Sequence, residues 1–231
     1  MGRDILRHLG TVAALRRHRR GEPPLEARVV AVKAFQHERF ARTYGDLMAQ
    51  PLYAPAARFF LEDLYGPGDF TERDAQFARI VPALMRLFPP EMVATVATLA
   101  ELHAMSEQLD DELARHVPEL PLQLSGYRCA WQCTASPAQR HLQIELMMQV
   151  GRALETFTRN PVLRGSLRVM RLPAKLAGLS ALQRFLERGF DTFGQMPEPE
   201  KFLNTIASRE QQISDWLFSD GAVVPPDSGL K

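Results

Sequence analysis

The chain has 231 residues, 45% hydrophobic and 24% charged, with 17 Pro, 14 Gly and 2 Cys. That is the composition of a folded globular chain, and it excludes disorder, a collagen repeat and a disulfide scaffold. Lys and Arg together number 28 against 27 Asp and Glu, a formal net charge of +1, so no overall field recruits a polyanion and every charge argument is local.

Residues 1–24 carry Arg3, Arg7, Arg16, Arg17, Arg19 and Arg20. The Arg16-Arg17-His18-Arg19-Arg20 run beside Gly21, Pro23 and Pro24 is expected to make them an exposed basic arm, and the apolar stretch Leu9 to Leu15 is too short for a secretory core. A single helical domain is expected over 25–218. Its first helix, 25–49, gathers Val29, Val30, Phe40, Tyr44, Leu47 and Met48 on about a third of its circumference. A short helix over 55–65 is expected to stop at Gly66-Pro67-Gly68. Thr71 with Asp74 three residues on marks the next start, and Phe77, Ile80, Val81, Leu84 and Leu87 follow at helical spacing, with a kink expected at Pro82. Pro89-Pro90 precedes a helix over 90–116 with Met92, Val96, Leu99, Leu102, Leu109 and Leu113 on one face. Residues 117–136, with Pro118, Pro121 and Gly126, read as an irregular connection and a candidate hinge. Ser136-Pro137 and Asn160-Pro161 each set an N-cap residue before a proline suited to the first helical position. They open helices reaching Phe157 and running from 161 to about 171. Helices over 178–193 and 198–218 complete the domain, and 219–231 reads as a flexible tail. Seven or eight amphipathic helices without strand-type alternation predict an all-α fold, either an irregular multi-helix bundle or a globin-like orthogonal packing.

The string Phe59-Phe60-Leu61-Glu62-Asp63-Leu64-Tyr65-Gly66-Pro67-Gly68-Asp69-Phe70-Thr71-Glu72-Arg73-Asp74 resembles a motif of the type FFLEDLYGPxDFxxRDA found in a family of uncharacterised bacterial all-helical proteins. The resemblance spans residues 53–116. It implies a bacterial, cytoplasmic helical protein and assigns no activity and no catalytic residue. In physical terms the aromatics bury, the glycines turn, and Asp69 or Thr71 caps the helix that follows.

Signatures of chemistry are absent. There is no phosphate-binding loop, dinucleotide turn, nucleophile elbow or haem-attachment motif. Cys129 and Cys133, four residues apart, match neither a redox nor a zinc spacing and read as buried or free thiols. No His follows a Glu at the Glu-x-x-His spacing of di-iron bundles. Two His-x-x-x-Glu pairs remain. His141/Glu145 lies on a polar face and reads as a solvated ion pair, whereas His103/Glu107 borders an apolar stripe. His37 falls inside the apolar arc of the first helix, where an imidazole needs a polar partner. Convergence of His37 with His103 or Asp63 would make a haem or single-metal site. No apolar run approaches the ~18 residues of a membrane span, and a cytoplasmic location is expected.

Charge is unevenly distributed: residues 1–42 sum to +6, 43–151 to −7, 152–188 to +6 and 189–231 to −4. Of the basic residues 24 are Arg, which codon usage alone can produce, so placement carries the information. Arg164, Arg168, Arg171 and Lys175 fall on one side of a helical wheel, opposite Val162, Val169 and Met170, which are expected to pack into the core. This basic stripe predicts a non-catalytic binding or regulatory protein that contacts an acidic protein partner or a small anionic ligand. Nucleic acid is disfavoured by the lack of a recognition motif. A membrane surface is disfavoured for as long as the apolar side of the helix is needed for the core.

Overall fold

In the computed structural model, which describes residues 1–64, 70–220, 223–225 and 227–230, the described chain forms twelve α-helices and no strand. In order they are α1 (Gly2–Arg20), α2 (Pro23–Thr43), α3 (Gly45–Ala49), α4 (Ala54–Phe59), α5 (Thr71–Leu87), α6 (Pro90–His116), α7 (Leu124–Thr134), α8 (Pro137–Thr158), α9 (Pro161–Val169), α10 (Arg171–Leu176), α11 (Ser180–Gly194) and α12 (Pro199–Phe218). A π-helical turn, Phe60–Leu64, extends α4. This is the all-α helical bundle that the 3.6-residue periodicity predicts. The longest helix, α6, lies at its centre against α1, α2, α5, α7 and α8, and α8 passes the packing on to α11 and α12.

The interior has three parts. An aromatic cluster of Tyr44, Tyr53, Phe59, Phe60, Phe193 and Phe202 joins α2, α4, α11 and α12, with Phe59 and Phe60 set edge-on to Phe193. Val29, Val32, Leu113, Tyr127, Trp131, Ile213 and Leu217 form a second cluster around α2, α6, α7 and α12. Ile5, Leu9, Val81, Val93 and Ala100 form the third, between α1, α5 and α6. The close approach of α8 to α12 requires Gly151, where an added Cβ would stand 2.5 Å from Leu203 Cδ2.

Two of the expected helix starts have the expected chemistry. Ser136 and Gln139 form a reciprocal capping box on α8, and the Asn160 side chain accepts from the Val162 and Leu163 amides of α9. The start of α5 differs. Phe70 takes the N-cap position with no side-chain cap, and Asp74 is turned instead toward Arg16 and His103. The Gly66-Pro67-Gly68 turn and Asp69 lie outside the described residues. The helix expected over 25–49 is divided at Tyr44, because Arg209 of α12 draws off the Thr43 carbonyl at 2.8 Å and grips Asp46 at 2.7 and 2.8 Å. Helix α5 runs continuously through Pro82.

Three expectations about exposed or irregular segments need correction. The expected arm at 1–24 is mostly α1, whose Ile5, Leu9 and Val12 are buried against its neighbours. Its apolar stripe is short, and arginines extend it. The candidate hinge at 117–136 contains α7, anchored by buried Tyr127, Ala130 and Trp131, and its cysteines are free and exposed. Part of the expected tail docks on α2: Thr43 Oγ1 donates to the Ser228 carbonyl at 2.6 Å, Arg42 Nε to that of Gly229 at 2.7 Å, and Leu230 is buried. Gly229 permits this through a positive φ of 67° and because a Cβ there would stand 2.5 Å from the Arg39 carbonyl oxygen.

Candidate functional site

The basic stripe lies beside a concavity of about 410 Å³, lined by Thr158, Arg159, Pro161, Arg164, Gly165, Arg168 and Gly194. Three elements meet there. Helix α8 ends at buried Thr158, the Asn160 cap and Pro161 turn the chain sharply into α9, and α11 closes the third side at Gly194. Gln183 of α11 holds α9 in place by donating to the Leu167 carbonyl at 2.6 Å. Gly194 makes the space, since a Cβ at that position would stand 2.0 Å from an Arg164 guanidinium nitrogen and 3.0 Å from the Thr158 carbonyl oxygen.

Three arginines and no carboxylate line this concavity. Arg164 is oriented by donation to the Phe190 carbonyl at 3.1 Å. Its Nε is buried and has no hydrogen-bond acceptor among the described residues. The nearest acid is Asp191, 3.8 Å from Arg164 Nε and 3.9 Å from Arg168 Nη2, beyond hydrogen-bond range of both. Arg159 pairs with Glu155 at 2.9 Å. Farther along the stripe Arg171 meets Glu187 at 2.6 Å, and that hydrogen bond holds the Glu187 carboxyl below its ordinary range. Lys175 is exposed on α10. The four stripe residues therefore lie along one edge, but only Arg164 and Arg168 reach the concavity.

The apolar side of the stripe contradicts expectation. Helix α9 buries none of its residues, and Val162, Val169 and Met170 are exposed, as are Leu172 and Leu176 of α10. The segment rests on α11 and the end of α8 along its other side, so the core does not need this face.

The histidine candidates are not brought together by any hydrogen bond. His37 is half-buried and has no hydrogen-bond partner among the described residues, so it is not the core imidazole its position on the wheel suggested. His103 Nε2 lies 2.9 Å from Asp74 Oδ2. Asp63 pairs with Arg188 at 2.9 Å, and burial pushes its carboxyl pKa up. Among the described residues no group of three or more His, Cys, Asp or Glu is placed to hold a metal ion. His141 and Glu145 form the exposed pair expected of them, at 3.2 Å.

What the sequence reading did not foresee is a buried charge cluster where α1, α2, α5 and α6 meet. Glu107 accepts from Arg16 at 3.0 Å, from Arg19 at 2.5 Å and from Lys33 at 2.8 Å, while Arg16 also donates to Asp74 at 2.9 Å. Burial alone would raise the Glu107 pKa, but Lys33, Arg19 and Arg16 overrule it and hold the carboxyl far below its ordinary range. Asp74 follows the same pattern, its burial outweighed by His103, Arg73 and Arg16. The string that carries the family resemblance feeds this cluster: Arg73 stacks on Phe70 and Phe185 and donates to the Asp63 carbonyl at 2.7 Å, beside Asp74. A signal was present in the spacing. Ile5, Leu9, Val12, Arg16 and Arg19 recur at alternating steps of four and three, which places both arginines on the buried stripe of α1.

A family model described as a domain of unknown function (DUF8198) matches residues 15–223. The chain belongs to this family. No curated protein and no solved structure matches it. The DUF8198 span starts one residue before Arg16 and continues past α12, so it takes in both the buried charge cluster and the arginine-lined concavity.

Proposed function

We propose that this chain is a binding protein that holds an anionic group, from a small ligand or an acidic partner, in the concavity between α8, α9 and α11. The observation that carries this reading is the convergence of Arg159, Arg164 and Arg168 on one opening that no carboxylate lines. Guanidinium groups present planar, paired donors that suit carboxylate and phosphate oxygens. Arg164 is held from behind by the Phe190 carbonyl with its Nε unused, so part of the ordering cost of binding is already met by the fold. The N–H groups at the start of α9 are taken by Asn160, and Pro161 has none, so side chains rather than backbone supply the grip. The exposed free thiols of Cys129 and Cys133 suit a reducing compartment such as the cytoplasm.

Calorimetric titration with inorganic phosphate, pyrophosphate and citrate tests the reading. We expect salt-sensitive binding of at least one of them, weakened about a hundredfold or more by Arg164→Gln combined with Arg168→Gln, as loss of two charge-assisted hydrogen bonds at ~1.5–3 kcal/mol each requires. Equal affinity in the double variant, or no binding of any of the three, overturns it.

A further inference from the structure

The exposed side of α9 and α10 is a separate feature from the concavity and asks for a different partner. Val162, Val169, Leu172 and Leu176 are 71, 77, 65 and 80% exposed. Val162 and Val169, seven residues or two helical turns apart, share one face of α9, and Leu172 and Leu176, four apart, share one face of α10, so the two consecutive helices carry an apolar ridge. Basic side chains flank it: Arg168 and Arg171 are 60 and 61% exposed, and Lys175 is exposed too. The carboxylates facing this flank are Glu187 and Asp191 of α11, which lie against Arg171 and Arg168. Residues 152–188 nevertheless hold 8 basic and 2 acidic side chains. Scattered exposed apolar residues are ordinary, but four of them on two consecutive short helices beside like charges are the pattern of a docking face.

We propose that the α9–α10 ridge docks on the surface of a membrane containing anionic phospholipid. Shape and charge select this occupant. Side chains at these exposures stand out from the surface rather than line a groove, so they can enter a soft interface but cannot enclose a peptide helix, which requires a concave apolar site. The concavity beside them is edged by Arg159, Arg164 and Arg168, and Pro161, Gly165 and Gly194 are its small apolar lining. A second copy is disfavoured because a two-fold contact through the same face sets Arg168, Arg171 and Lys175 against their own equivalents. Apolar tips flanked by cations match the boundary between acyl chains and anionic headgroups. Among the described residues no helix is long and apolar enough to cross a membrane, so the attachment is peripheral, weak and reversible. The proposal goes beyond the anion-binding reading and does not require the concavity to be filled.

Vesicle flotation of the full chain tests it, with phosphatidylcholine vesicles compared with phosphatidylcholine–phosphatidylglycerol vesicles at low and high salt. The expected result is binding to the mixed vesicles alone, lost at high salt. Leu172→Ser with Leu176→Ser is expected to lower partitioning at least tenfold, and Arg171→Gln with Lys175→Gln by more than about tenfold, at roughly fivefold per charge. All four side chains are exposed, so circular dichroism and the melting temperature should stay at the parent values. Equal binding to neutral vesicles, no binding to either kind, or unaltered partitioning of both variants overturns the proposal. So does a concentration-dependent dimer that Leu176→Ser abolishes in protein that ignores vesicles, which would assign the ridge to a second copy. Flotation that survives in Arg159→Gln/Arg164→Gln, together with failure of the parent chain to bind any small anion, sinks the pocket reading and leaves the ridge standing.

Discussion

Around Glu107, two arginines and a lysine converge on one buried carboxylate at 2.5 to 3.0 Å. Around Asp191, two arginines approach one exposed carboxylate at 3.8 and 3.9 Å, and neither bonds to it. The same residue type thus does different work in two regions of one chain. In the first, the carboxylate is buried and each of the three cations donates to it, although Arg19 Nε itself finds no acceptor among the described residues, so Arg16 and Arg19 hold α1, and Lys33 holds α2, to α6. In the second, water remains and the carboxylate is out of hydrogen-bond reach, so guanidinium groups are left to face an open concavity. Arginine content does not separate structural from available cations; burial and the distance to the nearest acid do.

The largest effect should come from opening the buried cluster. Glu107→Ala leaves Arg16, Arg19 and Lys33 facing one another without their common acceptor, and equilibrium denaturation should report a loss of about 3–5 kcal/mol. A loss below about 1 kcal/mol would mean that the cluster contributes little to holding the helices together.

The pH dependence follows from the same residues. The carboxyls of Glu107 and Asp74 titrate lower in the folded chain than their ordinary values of 4.5 and 3.8. The unfolded chain therefore takes up protons first as pH falls. Their stabilisation is complete above those ordinary values and is lost progressively below them, toward the lowered folded values. Denaturation midpoints measured from neutral pH to pH 3 should fall steeply in the acid range for the parent chain and less steeply for Glu107→Gln. Asp110 works in the opposite direction. Burial raises its pKa despite the hydrogen bond from Gln36, so its contribution is present at low pH and is lost as pH rises through the raised value. Asp110→Asn should therefore be neutral or slightly stabilising near neutral pH.

At the other region, Gly194→Ala should displace the Arg164 guanidinium, which is the movable neighbour, and press on the Thr158 carbonyl, which is not. The expected outcome is a stability loss of about 1–3 kcal/mol together with weaker phosphate or citrate binding by calorimetry. Unchanged affinity would detach Arg164 from the site. The smallest effect belongs to Arg188→Ala. Its contacts with Glu62 and Asp63 lie at a half-exposed surface, and such pairs contribute about 0–1 kcal/mol, so its melting temperature should stay close to the parent value.

Much of the architecture was legible residue by residue. The helix over 90–116 matches α6 at both ends, bounded by Pro89-Pro90 and Pro118, and Ser136-Pro137 and Asn160-Pro161 open α8 and α9 with the side-chain caps their residue types imply. Local chemistry suffices there, because caps and prolines act within a few residues. The candidate site was half legible. Helical spacing joined Arg164 and Arg168 on one edge, but Arg159 and Gly194, which complete the concavity, come from the end of α8 and the end of α11. His37, singled out by its place on a wheel, is only half-buried, because a wheel gives the direction of a side chain along its own helix and not the distance to the next one.

Periodicity, capping residues and prolines thus determined a helical chain and most of its helix ends, since those are set by interactions between residues a few positions apart. Tertiary structure alone decided which polar faces are buried. Arg16 and Arg19 read as an exposed arm until Glu107 of α6 and Asp74 of α5 meet them, and Val162 and Val169 read as core until α9 settles at the edge of the bundle with that side facing water. Burial is a property of neighbours that are distant in sequence, and it decides whether a charge binds the fold together or remains free to bind something else.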